Sequence, residues 1–324
     1  MVRKIRAQSR QRESRSNKCS LFPVVREDIL SLLDARQRVG WNVTAFNLPE
    51  AWKYAQGEGV VIAVLDTGCD LDHPDLVENL LPGKNLINPK LPPDDDNQHG
   101  THITGIICAK NNDIGMVGVA PEAKVIPVKV LDKNGDATLT TVANGIYYAT
   151  ERKADIICMS LGNPLPVAIV HKAIIAATSK GIPIFVAAGN AGNSKDVFYP
   201  AAYPETIAIG SIDENFQISK FSNTGKNLDF LAPGGKIFST VPDDWYAILS
   251  GTSMACPFAV GVAALMLSYV RKKKLDIIKT VEDYREILRQ HTTQIDSQEL
   301  ATKKFYQGFG IIDPRKMLAD AHLT

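Results

Sequence analysis

The sequence predicts an α/β fold with a mostly parallel sheet and helices on both of its faces. Three observations carry this. Several short runs are nearly continuous in apolar residues, amphipathic stretches of helical period separate them, and the runs end on small or polar residues. Strands buried on both faces read as unbroken apolar runs, and strand–helix–strand repetition calls for parallel crossovers.

The first eighteen residues stand outside this pattern. Arg3, Lys4, Arg6, Arg10, Arg12, Arg15 and Lys18 face a single acid, Glu13, with almost nothing to bury. No apolar h-region follows, which argues against a secretory signal. The composition predicts a solvated tail, with a nucleic-acid arm or an organelle-targeting peptide as the other readings. Next comes "CSLFPVVRED" (19–28), a short apolar patch inside a polar region that lasts to about residue 40.

The periodic part follows. "VVIAVL" (60–65), "KVIPVKVL" (124–131), "DIICMSL" (155–161), "PIFVAA" (183–188) and "TIAIGS" (206–211) read as buried strands. "TLTTVANGIYYATERK" (138–153) and "AIVHKAIIAATSKG" (168–181) read as helices, the second stopped by Gly181 and Pro183. The longest apolar run, "AVGVAALMLSYV" (259–270), is too short for a bilayer and predicts a buried helix. No internal repeat or low-complexity linker divides the rest. The expected organisation is an extension over 1–36 followed by one domain over 37–324.

Bulk numbers exclude some function classes. With 45% hydrophobic and 22% charged residues and a net charge of +1, the whole chain is no electrostatic magnet for nucleic acid or membrane. The five cysteines (Cys19, Cys69, Cys108, Cys158, Cys256) are scattered, odd in number and without a C-x-x-C pair. That argues against a disulfide framework and a zinc ribbon, and it suits a reducing compartment.

Chemistry in such folds gathers at the carboxyl ends of the strands. Asp66 follows the first run, Gly189-Asn190 follows "PIFVAA", and Ser253 sits in a Gly/Thr/Ser turn before an apolar helix. "QHGTHITGIICA" (98–109) sets His99 and His102 three apart. Taken alone, that pair is either half of a metal site or holds a proton carrier for a nucleophile elsewhere.

The order Asp66, His99, Ser253 resembles the subtilisin-like serine proteases. "VLDTGCDLDHPDL", "HGTHITGII", "AAGNAGN" and "LSGTSMACP" are similar to that family's four signature segments, and the resemblance runs from about residue 41 to 315. Within the family the chain is most similar to the intracellular subtilisins of bacteria, on "DTGCD", "GIYYATERKADIICMSLG" and the lack of a signal peptide. The resemblance implies a cytoplasmic serine endopeptidase. Ser253 is then the nucleophile, His99 its base and Asp66 the orienting carboxylate, with His102 supporting the helix from behind. Asn190 and the Ser253 backbone N–H would hold the oxyanion. The zinc reading loses, because no cysteine or histidine cluster completes a coordination sphere.

The resemblance also implies how partners bind. Peptide is expected to add a strand to the cleft, with "MSLGN" (159–163) as one wall. Ser160, Leu161, Gly162 and Asn163, then Ala188 and Gly189, then Phe198 would line the specificity pocket. The family often has Gly where this chain has Phe198, so a preference for small or medium side chains is expected there. Cys256 and Phe258 in "MACPF" also depart from the family, which touches packing behind the nucleophile. "AKNNDIGMVG" (109–118) resembles the family's calcium loop, and Gln37, Asp75, Lys110, Asn112, Ile114 and Met116 would supply oxygens to a Ca2+ ion. Leu21-Phe22-Pro23-Val24 is similar to a segment with which the intracellular members cover their own active site. The extension is thus expected to inhibit until self-cleavage. Competing readings are a processing subtilase with one narrow substrate and a nucleic-acid-binding protein using the basic tail; a homodimer is compatible with either enzyme.

Overall fold

The computed structural model describes residues 18–30, 37–192, 194–295 and 306–318. The basic tail before Lys18 lies outside the described residues. The described extension forms β1 (Lys18–Leu21) and β2 (Val25–Leu30), and short helices α1 (Trp41–Thr44) and α2 (Leu48–Trp52) lead into the domain.

The central strands are β3 (Val61–Asp66), β4 (Lys84–Asn85), β5 (Lys124–Lys129), β7 (Ile156–Met159), β9 (Ile184–Ala187), β10 (Ile207–Ile212), β11 (Phe230–Pro233), β14 (Thr292–Thr293) and β15 (Ile311–Ile312). They hydrogen-bond in the order β14-β15-β11-β10-β9-β7-β3-β5-β4, parallel throughout except for β14 against β15. All the predicted strands are here. The run 155–161 is the exception in detail. It breaks at Ser160, so that β8 (Leu161–Gly162) leaves the sheet and pairs elsewhere.

The main helices are α3 (His99–Cys108), α4 (Leu139–Glu151), α5 (Ala168–Thr178) and α6 (Thr252–Lys272), followed by α7 (Val281–Gln290) and α8 (Pro314–Leu318). Helix α3 packs on α6, and α4 packs on α5. Thr138 caps α4, its hydroxyl accepting from the Thr141 N–H at 3.1 Å. Helix α6 corrects the reading of 259–270. It is 21 residues long and apolar enough to cross a membrane by length and composition alone, yet its apolar window is 100% buried in the domain. It is the core helix on which β7, β9, β10 and β11 rest.

Two smaller sheets frame one edge of the domain. β6 (Asp136–Thr138), β1 and β8 form one, with β1 antiparallel between its neighbours. β12 (Ile237–Val241), β13 (Trp245–Ser250) and β2 form the other, again antiparallel. Both therefore take a strand from the extension.

Packing also sets one pH response. His102 is fully buried in α3, its Nε2 3.2 Å from the Ala247 carbonyl of β13. Burial pushes this imidazole down to about 3 from its ordinary 6.5. The unfolded chain takes up a proton that the fold refuses, so stability is full above pH 6.5 and is lost as pH falls towards 3. With Ser253→Ala in place to stop self-digestion, the urea midpoint should drop across this range, and His102→Asn should flatten the drop. An acid slope indifferent to that substitution would assign it to other groups.

Candidate active site

Parallel strands end together, and this registers the site. Asp66 closes β3 and is 1% exposed. His99 opens α3, and its Nδ1 lies 2.8 Å from Asp66 Oδ1. An ionised carboxylate can only accept, so the hydrogen bond requires Nδ1–H and leaves a lone pair on Nε2 of the neutral ring. The Thr67 N–H donates to the same Oδ1 at 2.7 Å. Neither His99 Nε2 nor Asp66 Oδ2 has a partner among the described residues.

Ser253 is the second residue of α6. Its hydroxyl points to the Ser160 carbonyl at 3.4 Å, longer than an ordinary O–H···O bond, so little holds that rotamer. The local backbone is tied from the other side. Pro257, inside the helix, has no N–H for the carbonyl four residues back. That carbonyl belongs to Ser253, and it accepts from Ser160 Oγ at 3.0 Å instead. A proline that departs from helix grammar thus lets β7's end grip the start of α6.

Asn190 follows β9. Its Oδ1 accepts from the Thr252 N–H at 2.9 Å and from the Thr252 hydroxyl at 2.8 Å. Those two donors fix the amide, so Nδ2 must face the cleft, where it donates to the Pro23 carbonyl at 2.9 Å. Gly251 makes the approach possible, since a Cβ there would lie 2.9 Å from Asn190 Nδ2.

The walls are strand edges. Leu161 and Gly162 pair with Leu21 and Ser20, and Asn163 Nδ2 donates to the Lys18 carbonyl. The opposite wall, 135–138, is missing from the sequence reading. Asp136 and Ala137 pair with Ser20 and Cys19, the Gly135 carbonyl accepts from the Leu21 N–H at 2.9 Å, and Asp136 accepts from Ser20 Oγ at 2.7 Å. "KNGD" reads as a plain turn, and three residues of strand carry no period. Its one usable signal is Gly135 at φ +77°, where a Cβ would meet the Leu21 side chain.

Phe198 neighbours a residue of the extension. The Phe198 ring lies beside the Phe22 ring, centroids 6.0 Å apart, and Phe22 is only 6% exposed. The Phe198 ring leaves room for a second ring beside it. Gly162 gives the room, since a Cβ there would meet Phe22 at 2.4 Å, while Ala188 pairs its carbonyl with the Phe198 N–H at 2.9 Å. Gly189, at φ +113°, would bring a Cβ within 3.1 Å of Phe198.

Away from the cleft, the 109–118 loop gathers around Asp75. Asp75 Oδ2 accepts from the Met116 N–H at 2.9 Å and the Tyr246 hydroxyl at 2.8 Å, and Oδ1 accepts from Asn112 Nδ2 at 3.1 Å. Gln37 Nε2 donates to the carbonyls of Lys110 and Met116 at 2.8 and 3.2 Å, and the Ile114 N–H donates to Asn112 Oδ1 at 3.3 Å. Burial raises Asp75 above the usual carboxylate range. Among the described residues no group of three or more His, Cys, Asp or Glu could hold a metal ion, so a cation here would rely mainly on neutral oxygens beside the Asp75 carboxylate.

All five cysteines are buried and free. Cys69 and Cys256, each three residues past a member of the Asp66–His99–Ser253 set, are 0% exposed. Burial pushes Cys69 up and Cys19 and Cys108 to about 12, which disfavours the reactive thiolate.

Comparison with known proteins agrees with this geometry. The Subtilase family profile matches residues 57–310. The chain is 44% identical over 238 residues to the intracellular serine protease of Paenibacillus polymyxa, covering 69% of this chain and 71% of that one. It is 40% identical over 257 residues to the major intracellular serine protease of Bacillus subtilis (76% and 81% covered). Thermitase of Thermoactinomyces vulgaris is 44% identical over 224 residues (69% and 80% covered). A buried Asp–His pair, a serine at a helix start and a fixed amide facing the cleft, on a parallel sheet and with these relatives, make the chain a member of the subtilase family of serine proteases.

Proposed function

We propose that the chain cleaves peptide bonds with Ser253 as nucleophile, His99 as general base, Asp66 as its orienting carboxylate and Asn190 as oxyanion donor. The observation that carries this is the Asn190 amide, anchored by Thr252 and donating to a peptide carbonyl, Pro23, at 2.9 Å. In the reaction Ser253 Oγ gives up the Ser160 carbonyl, its 3.4 Å neighbour, for His99 Nε2. The proton passes to Nε2 as Oγ attacks, Asp66 offsets the imidazolium, and the oxyanion meets Asn190 Nδ2 and the Ser253 N–H at the start of α6. His99 then returns the proton to the leaving amine, and water repeats the sequence on the acyl-enzyme. Losing the amide donor should lower kcat by about 10²–10³-fold, the size known for the relative subtilisin. The names of two relatives support a cytoplasmic setting.

The extension is read here as an inhibitor held in the substrate's place. Phe22 occupies the pocket, so in a productive complex its own carbonyl would face Asn190. The carbonyl at Asn190 is that of Pro23, one residue further on. Pro23 fixes φ and lacks an N–H, which favours this slipped register. Strand pairing on both sides, β1 with β6 and β8 and β2 with β13, supports tight retention. Tethering supplies an effective concentration of order mM, so modest affinity suffices.

One experiment tests both readings. Full-length protein should hydrolyse unfolded protein poorly at first and accelerate as cleavage within residues 18–30 appears by intact mass. Ser253→Ala should remain full length and inactive. Hydrolysis by that variant would overturn the nucleophile, and a chain beginning at Asp28 that is no faster than fresh full-length protein would overturn the inhibitor.

The oxygens around Asp75 support a structural Ca2+ ion. Gln37, Asp75, Asn112 and the carbonyls of Lys110, Ile114 and Met116 would hold it, and the Gln37 amide need only present Oε1 where Nε2 now meets two carbonyls. The ion would take no part in proton transfer. Chelation should lower Tm, because a ligand at 100 times its Kd stabilises the fold by about 2.7 kcal/mol. Asp75→Ala should remove most of that response, and a melting curve indifferent to EDTA and to added calcium would reject the site.

A further inference from the structure

Lys129 closes β5 directly across from Asp66, its register partner in β3. The residue is 3% exposed, and its ammonium donates to the Thr67 carbonyl and to Asp96 Oδ1, the latter at 2.6 Å. A buried ammonium is expensive unless well paired, so its presence under this site needs a reason. Both partners are telling. Thr67 directly follows Asp66, and Asp96 lies three residues before His99.

A second strut, a carboxylate held by neutral donors, spans the same gap. Asp95, 8% exposed, accepts from Thr67 Oγ1 at 2.8 Å and from the Asn97, Gln98 and Thr101 N–H groups at 3.0, 3.0 and 2.9 Å. Thr67 Oγ1 in turn accepts from the Gly100 N–H at 2.9 Å. The loop after β3 and the approach to α3 are therefore joined by one ion pair and by one carboxylate that accepts from neutral donors. Asp66 and His99 ride on the two sides of that joint.

We propose that Lys129 is a positioning residue for the reaction: by gripping Thr67 and Asp96 it fixes the spacing between the loop that carries Asp66 and the one that carries His99. It touches neither substrate nor reacting atoms. The inference rests on the triad reading above. The two ends act through one charge pair, so their losses should not multiply, and Lys129, which also holds the Thr67 carbonyl, should cost more than Asp96.

Lys129→Met, Asp96→Asn, Asp96→Glu and the Lys129/Asp96 double variant are compared with the unmodified chain after activation, with active sites counted by fluorophosphonate labelling. Expected are kcat losses of about tenfold for Asp96→Asn and up to about 100-fold for Lys129→Met, the scale of a misplacement near 1 Å, with KM within about twofold. The double variant should be no slower than Lys129→Met, and Asp96→Glu should recover most of the rate. Full kcat in Asp96→Asn, or losses that multiply in the double variant, would overturn the clamp. Should Lys129→Met fail to fold, Asp96→Asn and Asp96→Glu decide alone, since the Asp96 side chain is 56% exposed. An unmodified chain that neither hydrolyses protein nor takes the label would instead overturn the triad reading beneath it.

Discussion

The hydrogen bond between Asp66 and His99 is the constraint around which the domain is arranged. A carboxylate 1% exposed to water must find donors in the protein, and these come from His99 Nδ1 and the Thr67 N–H. Meeting that need dictates the neighbourhood. Helix α3 must begin where β3 ends, so Asp95 gathers the N–H groups ahead of the helix and ties them to Thr67. Helix α6 must then deliver Ser253 to the same place, and it does so with its apolar window wholly within the core. Parallel pairing of β3, β5, β7 and β9 makes this economical, because the polar ends of four strands fall on one edge.

The cleft is physically a gap between strand edges. β6 and β8 face each other across the width of one chain, which β1 fills, and β13 offers a further edge to β2. Such edges bind extended peptide by backbone pairing and are hazardous when left open. β1 and β2 cover these edges, and the Asn190 amide meets the Pro23 carbonyl, one residue past Phe22. On the proposed reading, recognition and restraint use the same hydrogen bonds, so inhibition would need no device beyond the substrate path itself.

Much of this was legible in the sequence. Buried parallel strands announce themselves as apolar runs, and β3, β5, β7, β9 and β10 fall within a residue or two of the runs that predict them. Asp66, His99, Asn190 and Ser253 are legible because each stands where a strand ends or a helix begins, inside a distinctive short motif. The loop around Asp75 is legible for the same local reason. Walls β6 and β8 were harder, since two or three residues cannot show a period.

The sequence by itself determined the layer order, the residues at the strand ends and the presence of an apolar segment ahead of the domain, because each depends on neighbours in the chain. Only the tertiary structure decided contacts between distant residues. Phe198 reads as an obstruction until Gly162 is seen to leave room for Phe22 beside it. Pro257 reads as a helix fault until Ser160 is seen to take the carbonyl it frees. Lys129 reads as an ordinary charge at a strand end, and becomes a clamp only once folding brings Thr67 and Asp96 to one ammonium. Such contacts join residues tens to hundreds of positions apart, and no local pattern encodes a distance that the packed core alone sets.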